Sequence, residues 1–383
     1  MEPENNRRSF ISKSLAAVAL ATLAPRKSFG ESLFFNPEKR EVRESETFEF
    51  IIVGSGAGGG PLAANLARAG FSVLLLEAGQ NTESELTRTP GLHARASEQK
   101  DIAWNFFVEH YENRDRAHRD VKYQKDKGIL YPRGCTLGGS TQMNAMITMY
   151  PDNEDWEFIQ KLTGDNSWSP LSMRRYFEKL EKKHYDKNGW LTTEQTPVSL
   201  GLKDQNVKAI LLGALREEGI LSGFGEIFER RSADLNPNDW KYVINKTNAV
   251  VNVPKSTFKG VRSGVRGYLL ETAKDHANLE IRTNVHVTKV IFDPNDKSKV
   301  IGVEYREGKH LYQASPFSNT IRSFKGNEVF VRAAKEVILC GGAFNSPQLL
   351  MLSGIGDEKH LNEHGIKTIH HLPCLLYTSD AAD

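Results

Sequence analysis

The chain has 383 residues, 39% of them hydrophobic and 26% charged, with Lys+Arg at 50 against Asp+Glu at 48 for a formal net charge of +2. That is ordinary globular usage, which excludes collagen-like and wholly disordered classes, and so small a surplus leaves no electrostatic footprint for nucleic acid. Three cysteines cannot build a disulfide framework, and no apolar run reaches the roughly 20 residues of a membrane-spanning helix.

The first 30 residues have the shape of an export signal. A basic opening with Arg7-Arg8-Ser9-Phe10-Ile11 precedes an Ala-rich apolar stretch from Leu15 to Ala24, and Ala19-Leu20-Ala21 fits a small-residue cleavage site. The arginine pair resembles the twin-arginine signal, which exports proteins already folded around a cofactor, so a periplasmic location is expected. A frayed amphipathic helix at a cytoplasmic N-terminus is the alternative. Residues 31–47 are polar and charged and read as a linker.

Phe48 to Val53 is a short run rich in aromatic and β-branched residues, the pattern of a buried strand. Gly54-Ser55-Gly56-Ala57-Gly58-Gly59-Gly60 follows at once. Pro61 to Ala69 reads as a helix closed by Gly70, and Phe71 to Leu76 as a second strand ending at Glu77. This βαβ unit carries G-x-G-x-x-G (Gly54, Gly56, Gly59) in its strand-to-helix turn. Glycines let the backbone approach a pyrophosphate, and the helix start offers N–H groups and a positive dipole end to the anion. Glu77 stands near the expected distance for an acid that accepts ribose hydroxyls, and it would repel a 2′-phosphate, which disfavours NADP. The motif alone does not separate FAD from NAD.

Two further glycine-rich segments follow. Arg133-Gly134-Cys135-Thr136-Leu137-Gly138-Gly139-Ser140-Thr141-Gln142-Met143-Asn144 is a backbone-rich loop suited to a flat or phosphorylated ligand. Gly342-Ala343-Phe344-Asn345-Ser346-Pro347-Gln348-Leu349-Leu350 follows a strand from Glu336 to Cys340, and its helix is expected to open with Ser346 as N-cap and Pro347 at the first position.

Together the three segments resemble the glucose–methanol–choline (GMC) oxidoreductase family of FAD enzymes, from about Phe48 to Pro373. Arg262-Ser263 through Tyr268-Leu269, and Leu279 through Val290, are also similar to the family. The resemblance implies an α/β fold: an FAD-binding Rossmann-like βαβ domain at 48–150 and 261–373, plus part of an α+β substrate domain with an antiparallel sheet at 151–260. It implies that Val287 holds the adenine through its backbone in a strand, and that Gly138, Ser140 and Asn144 contact the flavin. Met143 stands where some choline-type members carry a His bonded to the flavin, so FAD is expected to be non-covalent. Cys135 departs from the family, which often has a basic residue there.

The expected activity is oxidation of the CH–OH group of an alcohol or sugar, with hydride passing to flavin N5 and a basic residue taking the hydroxyl proton. Oxygen, a quinone or a cytochrome partner would take the electrons. In the family the base is a His in the C-terminal half. None of the histidines here lies in a matching motif, so no catalytic residue is assigned. A redox-neutral FAD lyase and a truncated, non-catalytic flavin binder are the alternatives, with an NAD dehydrogenase behind them. His360 and His364 have helical spacing but no partner set, so no metal site is expected. Residues 374–383 resemble the translation of a sequencing adapter; on that reading the natural chain continues beyond Pro373.

Overall fold

The structure is a computed structural model that describes residues 46–182, 189–195, 203–217, 236–244, 253–318, 328–373 and 375. The expected signal at residues 1–30, linker residues 31–45, and the adapter-like tail apart from Leu375 lie outside the described residues. The chain divides into two compact units. One takes the stretch up to Thr82, Ser97–Gln142 and the residues from Val265; the other takes Glu83–Ala96 and Met143–Gly264. The units thus divide at Gln142 and Val265 rather than at Tyr150 and Val261, and an excursion at Glu83–Ala96 goes with the second.

The first unit opens with β1 (Thr47–Val53), α1 (Gly59–Arg68) and β2 (Val73–Glu77). Phe50 to Ile52 and Val73 to Leu76 are buried without alternation, as strands covered on both faces are. The side of α1 that is buried is made of Gly59, Gly60, Ala63, Ala64 and Ala67, small enough for close approach. An antiparallel sheet follows in the order β3 (Ala103–Val108), β5 (Gly128–Gly134), β4 (Tyr123–Gln124). The unit closes with α2 (Val265–Asp275), β6 (Leu279–Thr283), β7 (Val285–Phe292), β8 (Val300–Glu307), β9 (Val329–Leu339) and α3 (Gly342–Leu352).

The main sheet has six strands in the order β6-β2-β1-β9-β8-β7. It is parallel from β6 through β9, and then antiparallel across β9-β8-β7. Strand β9 serves both parts: Val329 to Arg332 pair with β8, and Arg332 to Leu339 pair with β1. Ile51, Leu74 and Leu76 form one buried cluster with Val285, Val287, Val303, Tyr305 and Leu349. Each such aliphatic side chain contributes about 1.5–3 kcal/mol by leaving water.

Leu279–Val290 forms two strands, β6 and β7, parted by Asn284 at φ 58. The Asn284 N–H donates to the Gly79 carbonyl, and its own carbonyl accepts from Gly308. Asn tolerates this left-handed conformation, so the chain leaves one sheet edge and enters the other. The third glycine segment starts its helix early. Gly342 begins α3 at φ 90, and Pro347 lies inside the helix rather than at its first position. Ser346 does not cap its own helix by the usual route; its Oγ accepts from the Gly341 N–H at 3.0 Å.

The second unit carries helices at Asn153–Thr163, Pro170–Leu180 and Gln205–Glu217. The first is opened by an Asp152/Asp155 capping box and closed by Gly164 at φ 65. Strands among its described residues are two-residue pairings, such as Glu194–Gln195 with Pro254–Lys255. Its centre is polar. Arg174 donates to the Asn238 carbonyl at 2.6 Å, and Asn238 Oδ1 accepts from the Tyr150 N–H at 2.8 Å. Asn238 Nδ2 donates to Thr148 O and Glu181 Oε1, and Thr193 donates to the same Glu181 oxygen at 2.5 Å.

Candidate cofactor site

The βαβ turn of the first unit sorts its glycines into two kinds. Gly54 has φ 98, and a Cβ there would sit 2.3 Å from the Cys340 carbonyl oxygen. A Cβ on Gly59 would be 2.0 Å from the Gly54 oxygen. These two are glycine because the chain packs on itself. Gly56 differs: a Cβ there would meet nothing within 4 Å, and the same holds for Gly58. Helix α1 begins beside them with no side-chain cap and no acid in its first turn. The Gly60 and Leu62 N–H groups donate to the Gly56 and Gly58 carbonyls and Pro61 has none, so what the helix start offers an anion is chiefly its positive dipole end. An open glycine at an uncapped helix start fits a pyrophosphate, and this part of the chain therefore suits a dinucleotide.

Glu77 ends β2 inside this turn and is only 6% exposed. Its Oε2 accepts from both the N–H of Ser55 (3.0 Å) and the Ser55 hydroxyl (2.5 Å), and its Oε1 accepts from the Gly79 N–H (2.8 Å). Burial pushes the carboxyl above its ordinary range, against the pull of the donors from Ser55 and Gly79.

The second glycine loop is joined to the same turn. The Gly138 N–H donates to Ser55 Oγ at 2.9 Å, and a Cβ on Gly139 would come 2.9 Å from Gly56 Cα. Thr136 Oγ1 donates to the Gln80 carbonyl at 2.7 Å, and the Leu137 N–H reaches the same oxygen at 3.0 Å. Ser140 Oγ accepts from the Gly134 N–H at 2.9 Å, while its residue stays exposed. Cys135 is buried, and burial with the Glu77 carboxylate nearby pushes its thiol well above the usual range. That leaves it a space-filler with little thiolate character.

The first unit thus brings together Gly54, Gly56, Gly59, Glu77, Gly138 and Ser140. Val287 lies in β7 opposite Tyr305, just before a register shift in the pairing, and its side chain is in the core. Asn144 belongs to the second unit. There its Oδ1 accepts from Arg262 Nη1 at 2.7 Å and from the Met146 N–H at 3.1 Å, which fixes Nδ2 as the donor end of the amide. Arg262 also donates to the Asn144 and Thr87 carbonyls at 2.9 and 2.6 Å, and burial lowers its pKa to about 10.

Sequence reasoning passed over two residues. Ser55 is the one hydroxyl within the glycine run, a visible signal whose use needs the fold. Arg262 stands in the R-S segment, but nothing in the spacing pairs it with Asn144. Of the histidines, His286 is stacked on Tyr312 with ring centroids 5.4 Å apart. Burial, with Arg306 nearby, lowers its pKa to about 4. Among the described residues no group of three or more His, Cys, Asp or Glu could hold a metal ion, and no helix is long and apolar enough to cross a membrane.

The sheet order and the glycine turn define a dinucleotide-binding α/β protein. The GMC oxidoreductase family model matches residues 48–372. The chain is 33% identical over 328 residues to an oxygen-dependent choline dehydrogenase of Pseudomonas syringae pv. tomato, covering 85% of this chain and 51% of the relative. It is 31% identical over 329 residues to an alcohol dehydrogenase [acceptor] of Pseudomonas putida, with coverages of 85% and 51%. An FAD-dependent oxidoreductase from Chaetomium thermophilum shares the fold at a TM-score of 0.60 and 22% identity, over 85% of this chain and 51% of that one. This chain belongs to the GMC oxidoreductase family, and its cofactor is FAD. It spans about half the length of the curated relatives it matches.

Proposed function

We propose that the protein is an FAD-dependent oxidoreductase acting on the CH–OH group of an alcohol or sugar, and that this chain carries its cofactor-holding part. The observation that carries the reading is Gly56, where a Cβ would meet nothing within 4 Å among the described residues. The family and the alcohol- and choline-oxidising relatives support the donor class.

In this reading Gly54, Gly56 and Gly59 bring the backbone and the start of α1 to the pyrophosphate. Glu77 accepts from the ribose, and Val287 meets the adenine through its backbone. Gly138, Ser140 and Asn144 serve the flavin side: Asn144 with its amide donor, Ser140 with its exposed hydroxyl, and Gly138 by its left-handed backbone, since its N–H is already committed to Ser55. Met143 cannot form a covalent flavin bond, so in this reading FAD is bound non-covalently. FAD, when bound, supplies the two-electron acceptor for the hydride that leaves the donor carbon.

In this reading His286 does not serve as the base that takes the hydroxyl proton, because burial in an aromatic stack lowers its pKa to about 4 and leaves it a weak proton acceptor. The proposal places that base in the part of the family's length that this chain does not span. Export by the twin-arginine route belongs to the same reading and rests on Arg7-Arg8-Ser9-Phe10-Ile11.

The test is anaerobic mixing of the flavin-loaded full-length protein with a panel of primary alcohols and sugars. Bleaching of the visible flavin band by at least one donor is expected. A flavin that no donor bleaches sinks the alcohol-oxidation reading and leaves a redox-neutral enzyme or a binder.

A further inference from the structure

Ser55 occupies the second position of the glycine turn and is fully buried, yet it carries the only side-chain oxygen in that run. Its hydroxyl has a single proton, and that proton is committed: the 2.5 Å contact with Glu77 Oε2 is the length of a charge-assisted O–H to carboxylate bond. With the proton pointing at Glu77, the Ser55 lone pairs face the Gly138 N–H, which donates at 2.9 Å. The result is a relay from the Gly138 N–H through the Ser55 hydroxyl to the carboxylate, in which each bond polarises the next.

The relay also settles how Glu77 is presented. Each carboxylate oxygen has about two acceptor positions. Oε2 receives both the N–H and the O–H of Ser55, whereas Oε1 receives only the Gly79 N–H among the described residues. One acceptor position is left, on Oε1.

We propose that Ser55 is a positioning residue that fastens the second glycine loop to the first through Glu77, and that it leaves the carboxylate one acceptor site, so that Glu77 takes one ribose hydroxyl of FAD rather than the pair. The proposal rests on the reading of Glu77 as the ribose contact. An alanine at position 55 would strand the Gly138 N–H and release Oε2, so the loop and the carboxylate would lose their fixed relation together.

The experiment uses the full-length protein as wild type, Ser55→Ala, Glu77→Gln and the double variant. FAD dissociation constants come from flavin fluorescence, and amide hydrogen exchange at Gly138 is followed in the flavin-free protein. Ser55→Ala is expected to weaken FAD about tenfold and to speed exchange at Gly138 by about the same factor. Because Ser55 acts through Glu77, adding Ser55→Ala to Glu77→Gln should weaken FAD by less than about twofold more. Unchanged exchange at Gly138 overturns the fastening role, and losses that multiply in the double variant overturn action through Glu77. If Glu77→Gln alone leaves FAD affinity unchanged, the ribose reading fails, while exchange at Gly138 still decides the role of Ser55. Ser55→Cys keeps the shape with a weaker donor, and an intermediate exchange rate from it supports the relay even if Ser55→Ala folds poorly.

Discussion

The first unit is centred on Ile51, Leu74, Leu76, Val303 and Tyr305, which touch through apolar surface. The second is centred on Arg174, Asn238, Glu181 and Thr193, joined by hydrogen bonds. An apolar core tolerates repacking of shape but punishes a backbone that cannot close up. A polar core behaves the other way, because removal of one member leaves a buried partner unsatisfied. Function follows the same split: the tight glycine turn sits on the rigid apolar sheet, where close approach can be held.

The comparison is tested most severely by Gly54→Ala. The left-handed φ of 98 and the 2.3 Å approach to Cys340 O cannot both be kept, and a loss of about 4 kcal/mol or more is expected, with little folded protein on thermal melting. A stable Gly54→Ala variant would break the claim that the turn is set by chain packing.

In the second unit, Asn238→Ala should cost about 3 kcal/mol in urea unfolding, because it strands the Tyr150 N–H and weakens the hold on Glu181. A loss below about 1 kcal/mol would mean that the polar centre is not what holds that unit.

A pH titration separates the units again. His286 in the first unit has an ordinary value of 6.5 when unfolded and about 4 when folded, so the unfolded chain takes up the proton first. Stability is then fully present above pH 6.5 and falls by about 3 kcal/mol as the pH drops toward 4. His286→Gln should flatten that part of the profile.

Gly56→Ala has the smallest expected effect on the fold, within about 0.5 kcal/mol, because its Cβ meets nothing within 4 Å among the described residues. It should still weaken FAD by at least about tenfold, as measured by fluorescence titration. If FAD affinity is untouched, Gly56 is not a ligand glycine.

Legibility in the sequence followed the same division. β1, α1 and β2 were readable because unbroken apolar runs and a glycine turn leave periodic traces, and Glu77 could be placed from spacing alone. The break at Asn284 was not readable, because it depends on a carbonyl at Gly79 that is remote in sequence. The early start of α3 was missed because Ser-Pro is a strong local opening signal, and here Gly342 overrides it. The second unit gave few signals, since side-chain hydrogen bonds such as those of Asn238 and Arg262 have no period. Ser55 stood in plain view, yet its partners come from the end of β2 and from the second loop.

Strand β9 pairs with β1 and closes the turn through the Cys340 N–H, which donates to Val53 O at 2.7 Å. The glycine turn therefore emerges early from the ribosome but is not closed until Cys340 has followed, an interval on the order of tens of seconds at ordinary synthesis rates. During that time Phe48 to Val53 is a bare apolar strand edge on a nascent chain, the kind of segment that a holding chaperone binds. A flavin site that requires the closed turn therefore cannot form before β9 has been made.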